Sequence, residues 1–341
     1  MGVNLSDLVT FHEMEPAQLG GKTVAIDAYN AIYQFLSVIR QPDGTPLKDD
    51  QGRVTSHLAG LLNRNANLIE MGMRPVYVFD GLPSRLKAAT IQERHERRAK
   101  AQQEWHEAVK AGDTEAAYSK ATQSTKITND IVASSRILLV HLGIPIVQAP
   151  GEGEAQAAYM AQKGDVWAAS SQDFDSLLFG APRLLKNLTL AGRRKMPGRN
   201  EYRDVKMEMV ELEEVLRTLD ISREQLIDIC ILMGTDFNEG IRGIGPKKGL
   251  KLIKEHGDFQ TVMAALDKEM PEYEQVRDIF LHFEHTDNYS LDVKPPEPDH
   301  VIEMLVKEHD FTEARVRSAL DKMGKRPEPP VSGKQSRLDM F

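Results

Sequence analysis

Pro75-Val76-Tyr77-Val78-Phe79-Asp80 is an apolar run closed by a carboxylate. Its β-branched and aromatic side chains favour a buried strand. Thr23-Val24-Ala25-Ile26-Asp27 repeats the pattern and again ends on an acid. Ile144-Pro145-Ile146-Val147 and Val166-Trp167-Ala168-Ala169 read as two further buried strands. Helical patterns fall around them, over residues 30–40, 55–71, 131–142 and about 155–162. Residues 41–53, broken by Pro42, Gly44, Pro46 and Gly52, read as a loop. This alternation predicts an α/β fold, a mostly parallel central sheet with helices on both faces. From residue 208 onward the pattern is mainly helical, and residues 297–325 add a last pair of helices.

The acids fall where such a sheet would use them. Asp27 and Asp80 end strands, Glu152 and Glu154 follow the third, and Asp173 and Asp175 follow the fourth. Open parallel sheets bind ligands at the carboxyl ends of their strands, so these six acids should meet on one crest. Residues at i and i+2 of extended chain share a face, which lets Asp173 and Asp175 both point inward. Glu152 and Glu154 can do so only if their loop is extended before the helix begins. So many carboxylates repel one another and require a positive partner. No His or Cys cluster lies near them, so the ligand set is all oxygen, which suits Mg²⁺ or Mn²⁺ better than Zn²⁺. Two such ions about 4 Å apart can activate a water and stabilise the leaving oxygen in phosphoryl transfer. The bland alternative is a set of unrelated surface acids, caps and turn residues.

The chain of 341 residues carries 43 Lys and Arg against 51 Asp and Glu, a net charge of −8, which argues weakly against a nucleic-acid partner. Local sign differs. Residues 84–100 hold six basic and two acidic side chains, residues 183–206 eight and two, and residues 242–256 five and one. Salt screens charge beyond about 8–10 Å, so these local runs matter more than the total. Lys87 and Arg94 are seven residues apart on the first run, share a helix face and could grip a scissile phosphate. A solvated arginine-rich face is the alternative. Residues 86–126 are rich in helix formers but lack a broad apolar stripe, which suggests helices projecting from the core.

Ile241-Arg242-Gly243-Ile244-Gly245-Pro246-Lys247-Lys248 joins two helical stretches. Gly243 and Gly245 permit a tight turn and a close phosphate, and Pro246 suits the first helical position. The N–H groups at that helix start bind anions, and Lys247, Lys248 and Lys251 add charge. The spacing is not a dinucleotide fingerprint, and it reads as a helix–hairpin–helix that holds duplex backbone without reading bases. A plain helix–turn–helix connector is the alternative. Asp236, in Gly234-Thr235-Asp236, stands just before it as a candidate seventh carboxylate. Cys230 is the only cysteine, which excludes disulfides within the chain. No apolar stretch reaches the ~20 residues of a membrane helix.

At these residues the sequence resembles the flap endonuclease family, most closely its archaeal members. The resemblance is carried by Val78-Phe79-Asp80-Gly81, by Gly151-Glu152-Gly153-Glu154-Ala155-Gln156-Ala157, by Ser171-Gln172-Asp173-Phe174-Asp175-Ser176-Leu177-Leu178-Phe179-Gly180 and by residues 241–248. It runs from the first residue to about residue 257 and resumes at the tail. It implies a PIN-like nuclease core in which Asp27, Asp80, Glu152, Glu154, Asp173, Asp175 and Asp236 bind two Mg²⁺, with Mn²⁺ able to substitute. It implies that Lys87 and Arg94, on a helical arch formed by residues 86–126, contact the scissile phosphate of a 5′ flap. Gly2 would pack near the active site, and Tyr33 would stack on a base near the cut. Arg40, Arg64 and Gly234 match DNA-contacting positions, beside Glu152, Asp236, Gly243, Gly245, Lys247 and Lys248, with a K⁺ ion at the helix–hairpin–helix. Gly151 and Phe174 stand where archaeal relatives usually have Ser and Tyr, and neither change removes a ligand.

The tail Gln335-Ser336-Arg337-Leu338-Asp339-Met340-Phe341 resembles a sliding-clamp (PCNA) binding motif, through Gln335, Leu338 and Phe341, but ends one residue short of the second aromatic. The expected organisation is an N-terminal nuclease region 1–98, an arch remainder 99–130, an internal nuclease region 131–258 with the helix–hairpin–helix at 222–257, a helical region 259–325 packed on the core and a flexible tail 326–341. The implied activity is 5′-flap cleavage, with room for 5′–3′ exonuclease action, on flapped or nicked duplex DNA in replication (Okazaki fragment maturation) and repair. The implied setting is a cytoplasmic, nucleoid-associated protein of archaeal type that is neither secreted nor membrane-bound. Rival readings are a related junction-cutting nuclease, a non-catalytic clamp-tethered DNA-binding adaptor, and a haloacid-dehalogenase-type phosphatase. The last needs D-x-D after its first strand, which Asp27-Ala28-Tyr29 breaks.

Overall fold

In the computed structural model, which describes residues 2–41, 43–195 and 202–324, β1 (His12–Met14) leads to β2 (Thr23–Asp27), and α1 (Ala28–Val38) starts directly after it. α2 (Ser56–Glu70) returns the chain to β3 (Arg74–Phe79). Two helices, α3 (Ala88–Ala111) and α4 (Thr114–Gln123), follow before α5 (Asn129–His141) feeds β4 (Ile146–Gln148). α6 (Gly153–Lys163) crosses to β5 (Ala168–Ser170), and the short α7 (Asp175–Leu178) precedes β6 (Arg183–Lys186). β7 (Gly192–Lys195) and β8 (Tyr202–Val205) pair only with each other, and β9 (Met207–Glu211) rejoins the main sheet. α8 (Leu212–Leu219), α9 (Arg223–Met233), α10 (Pro246–His256), α11 (Phe259–Ala265) and α12 (Tyr273–Leu281) come next. α13 (Pro298–Ile302) runs into a π-helical turn, Glu303–Glu308, and α14 (Glu313–Gly324) closes the described chain.

The main sheet has seven strands in the order β1-β9-β6-β5-β2-β3-β4. β6, β5, β2, β3 and β4 are mutually parallel, and β9 and β1 add an antiparallel edge. The mostly parallel sheet expected from the sequence is therefore present. β2 and β3 lie side by side with Thr23 opposite Arg74 and Asp27 opposite Val78, so both strands deliver their acids to the same pole. Side chains alternate across the sheet. Ala25, Val76 and Val78 join a core with α6, α9 and α12, whereas Val24, Ile26, Tyr77 and Phe79 join a second core with α1, α2, α5 and α14.

Three features depart from the sequence reading. The stretch from residue 208 begins as strand β9, not helix. Its buried residues, Met207 and Val210, are three apart and so lack the clean alternation that marks a strand. The third strand starts at Ile146 because Ile144 N still donates to Leu139 O (3.0 Å) and completes the turn that ends α5. The fourth starts at Ala168 because Val166 N closes α6 through Met160 O (3.3 Å).

The projecting helices are α3 and α4, packed on one another. The 24-residue α3 buries only Ala101, spans about 36 Å and runs unbroken across residue 98. It ends at Gly112, whose φ of 73° suits a residue without Cβ, and Asp113 caps α4 through Ala116 N (2.9 Å). No helix among the described residues is long and apolar enough to cross a membrane. Gln335, Leu338 and Phe341 lie outside the described residues.

Candidate metal centre and nucleic-acid interface

Backbone N–H groups hold three of these acids, one from the same turn and two from distant loops. Asp27 ends β2 and caps α1, accepting from Asn30 N at 3.0 Å. Asp80 follows β3 and accepts from Gly153 N at 2.7 Å. A Cβ on Gly153 would stand 2.6 Å from that same Asp80 oxygen, so the approach of the two loops requires glycine there. Glu152 caps α6 in an extended conformation, which lets it and Glu154 face one site although they flank a helix start. Glu154, in the first turn of α6, lies 3.4 Å from Ser176 Oγ. Asp175 opens α7 and accepts from Val3 N at 2.9 Å. Asp173 lies against Gly2, where an added Cβ would come within 2.4 Å of its Cγ.

These carboxyls share one buried field. Burial, then the Asp80 charge, pushes Asp27 up to about 8. Burial and Glu152 raise Asp80 to about 6. Burial and Asp173 raise Asp175 to about 7, with Asp236 adding to it. Glu154 is raised by burial and then by Asp175, Asp27 and Asp173. Asp173 is raised by burial and by Asp236. The fold thus places the seven expected acids within one another's electrostatic field despite their repulsion. Among the described residues, however, no three of them have ligand oxygens all within 4.8 Å of one another.

The cations of the projecting helix already reach this field. Lys87 pairs with Glu152 and stands 3.6 Å from Asp236, and Arg94 pairs with Asp236 at 2.5 Å. Burial would raise Asp236, but Arg94 and Lys87 outweigh it and hold the carboxyl below its usual range. Burial would lower Lys87, but Glu152 and Asp236 more than reverse that. Thr90 Oγ1 donates to Asp236 O at 2.9 Å and anchors the same turn of α3.

The sequence reading missed Lys186. This β6 lysine is buried, donates to Gln172 O, lies 3.7 Å from the Phe174 ring and faces Asp173 and Glu154. It belongs to the second basic run, and only its place on a strand beside the Asp173 loop distinguishes it from the solvated members.

The candidate DNA contacts are spread around this crest. α9 and α10 pack as a helical pair, and Gly249 would bring a Cβ within 3.1 Å of Ile229 Cγ2. Between them Gly234 (φ 98°) and Gly243 (φ 84°) take conformations that suit glycine, and Gly245 caps α10 with Pro246 in its first turn. Lys247 and Lys248 are exposed at that helix start. Tyr33 is partly exposed on α1. Arg40 donates to Leu36 O (2.7 Å), Gly44 O (2.6 Å) and Thr125 Oγ1 (2.6 Å), joining the end of α1 to the end of α4. Arg64 donates to Ala191 O at 2.8 Å. Both guanidiniums are thus partly engaged within the chain.

Residues 1–101 match the XPG N-terminal domain and residues 143–236 the XPG I-region. Flap endonuclease 1 of Aeropyrum pernix is 50% identical over 100% of this chain and 99% of its own length. Flap endonuclease 1 of Archaeoglobus fulgidus is 51% identical over 95% and 96%. Among solved structures, flap endonuclease-1 from Methanococcus jannaschii superimposes with a TM-score of 0.75 at 42% identity, covering 94% of this chain and 98% of that one. The catalytic core of Rad2 in complex with DNA substrate shares the fold at a TM-score of 0.69 and 22% identity, covering 92% and 96%.

Proposed function

The chain belongs to the flap endonuclease family, and from that premise we propose that Asp27, Asp80, Glu152, Glu154, Asp173, Asp175 and Asp236 hold two Mg²⁺ ions for 5′-flap cleavage. It is a structure-specific flap endonuclease and a hydrolytic nuclease, with the replication and repair work of that family. That rules out the phosphatase and adaptor readings, and the full-length flap endonuclease relatives favour flap over junction substrates.

The observation that carries the metal assignment is the convergence of acids from separate loops on one buried field whose charge the protein only partly neutralises. The donors are carboxylate oxygens, which fits a hard cation, and Mn²⁺ suits the same set. Their spacing, too wide for a single close cage, leaves room for ions that keep part of their water. When bound, such ions activate a water and stabilise the leaving oxygen.

The chain's own side chains do the rest. Lys87 and Arg94 stand at the base of α3 within reach of the acids, and we assign them to the scissile phosphate, where they offset developing negative charge. α3 and α4 form the arch that admits the single-stranded flap. Gly243, Gly245, Lys247 and Lys248 hold phosphates of the duplex at the start of α10, where exposed N–H groups favour anions and a K⁺ ion, if bound, would add positive charge. Tyr33 supplies a stacking surface near the cut, and Arg40, Arg64 and Gly234 line the duplex path. The same architecture supports 5′–3′ exonuclease action at a nick. The tail, through Gln335, Leu338 and Phe341, engages the sliding clamp, and the enzyme works on chromosomal DNA in the cytoplasm.

The test is cleavage of matched flap, nicked, single-stranded and four-way-junction substrates with Mg²⁺. Flaps should be cut fastest, chelation should abolish cutting, and Asp175→Ala should bind flap DNA without cleaving it. Substantial Mg²⁺-dependent cutting by Asp175→Ala would remove the ligand assignment.

A further inference from the structure

We propose that His141, Glu297 and His300 form a second metal site, for a borderline transition ion of the Zn²⁺ type, at the opposite pole of the sheet from the carboxylate crest. His141 is the last residue of α5, which leads into the start of β4, whereas the crest lies beyond the strand ends. Among the described residues these three form the group whose ligand atoms all lie within 4.8 Å of one another. His141 Nδ1 stands 2.8 Å and His300 Nδ1 3.0 Å from the same oxygen, Glu297 Oε2. The two imidazoles stack with centroids 5.0 Å apart at 27°, so both present the same nitrogen to one carboxylate. Zinc bonds of about 2.0–2.2 Å in a tetrahedral shell set ligand atoms about 3.3 Å apart, so the observed spacing needs only small adjustment.

The backbone beneath the trio is already fixed. Glu297 N donates to His141 O at 2.8 Å, and Lys294 N donates to Gly143 O at 3.1 Å. Gly143 has φ +67°, and a Cβ there would stand 2.1 Å from Lys294 O, so the two segments meet without room for a side chain. Two imidazole nitrogens with one carboxylate form a softer donor set than the all-oxygen crest, and favour Zn²⁺ over Mg²⁺. His300 and Glu297 are exposed, which leaves a fourth position to water. An ion here would tie α5 to the segment carrying α13 and α14, which packs on α5 and α2. Its role is structural, a clamp on the C-terminal helices.

The test uses the full chain, stripped by chelation and held in excess Mg²⁺ so that the crest is occupied. ZnCl₂ is titrated in by calorimetry, and the thermal midpoint is followed in parallel. One Zn²⁺ per chain should bind and raise the midpoint. His300→Ala, a change at an exposed side chain, should weaken that event about 100-fold or more, since even an outer-shell partner of a metal is worth about 10–100-fold. It should leave Mg²⁺-supported flap cleavage intact. Asp175→Ala should retain the Zn²⁺ event. Equal Zn²⁺ binding by His300→Ala, or loss of the event in Asp175→Ala, would overturn the site. So would the absence of any stoichiometric event, which would leave a hydrogen-bonded cluster only.

Discussion

At the scale of the residue, Lys87 and the crest acids are defined by one another. Lys87 pairs with Glu152 and stands beside Asp236, and their charges keep its ammonium protonated against the effect of burial. Lys87→Ala should therefore cut the single-turnover rate on a flap substrate by about 100-fold or more, comparable to removing one oxyanion donor. A near-normal rate would remove its catalytic role. The acids also give a pH signature. Asp80, Asp175 and Asp27 have carboxyls raised from 3.8 to about 6, 7 and 8. A raised carboxyl binds its proton more tightly in the folded chain, so its contribution is complete below about pH 4 and is lost as pH rises through 6, 7 and 8. In EDTA the thermal midpoint should fall across that window, and Mg²⁺ should flatten the fall by supplying the missing positive charge. A midpoint that is level or rises in EDTA would contradict the shared field.

At the scale of the element, the loop of residues 47–54 shows how a distant segment is tied in. Asp49, 7% exposed, accepts from Arg53 N (2.8 Å), Arg53 Nε (2.7 Å) and His309 Nδ1 (2.8 Å). Burial opposes its ionisation, but the His309 and Arg53 hydrogen bonds win and hold it at about 2. Its contribution is present above about pH 3.8 and is lost as pH falls through about 2. Asp49→Ala should cost about 1–3 kcal/mol in urea unfolding at neutral pH, because it removes the buried carboxylate that accepts from Arg53 and from the largely covered His309. It should also reduce acid sensitivity between pH 4 and 2. A neutral effect would mean that the loop is held by its backbone alone.

Elements differ in how far the sequence announces them. β2 and β3 are largely apolar and end on or just before an acid, so both their type and the pole to which they carry Asp27 and Asp80 were legible. β6 and β9 were not, because Arg183, Lys186 and three-residue spacing obscure a strand that only its neighbours stabilise. The same limit hid Lys186, whose burial beside Asp173 depends on β6 pairing with β5. Arg40 and Arg64 matched DNA-contacting positions in the sequence, but their hydrogen bonds to Gly44, Thr125 and Ala191 come from tertiary neighbours that no local pattern shows.

At the scale of the whole molecule, a parallel sheet with a core on each face leaves one pole free to collect acids from segments 209 residues apart, Asp27 to Asp236. Helices from the C-terminal region brace the other face, where α14 lies on α2. The separation of functions follows: packed cores on the two faces, charge at the strand ends, and the first turns of α3 reaching that charged end through Lys87, Thr90 and Arg94. The most direct measurement is anomalous diffraction from crystals of the full chain soaked in Mn²⁺. Two peaks enclosed by Asp27, Asp80, Glu152, Glu154, Asp173, Asp175 and Asp236 are predicted, whereas a crest without bound Mn²⁺ while the ion occupies other acids would contradict a shared metal centre.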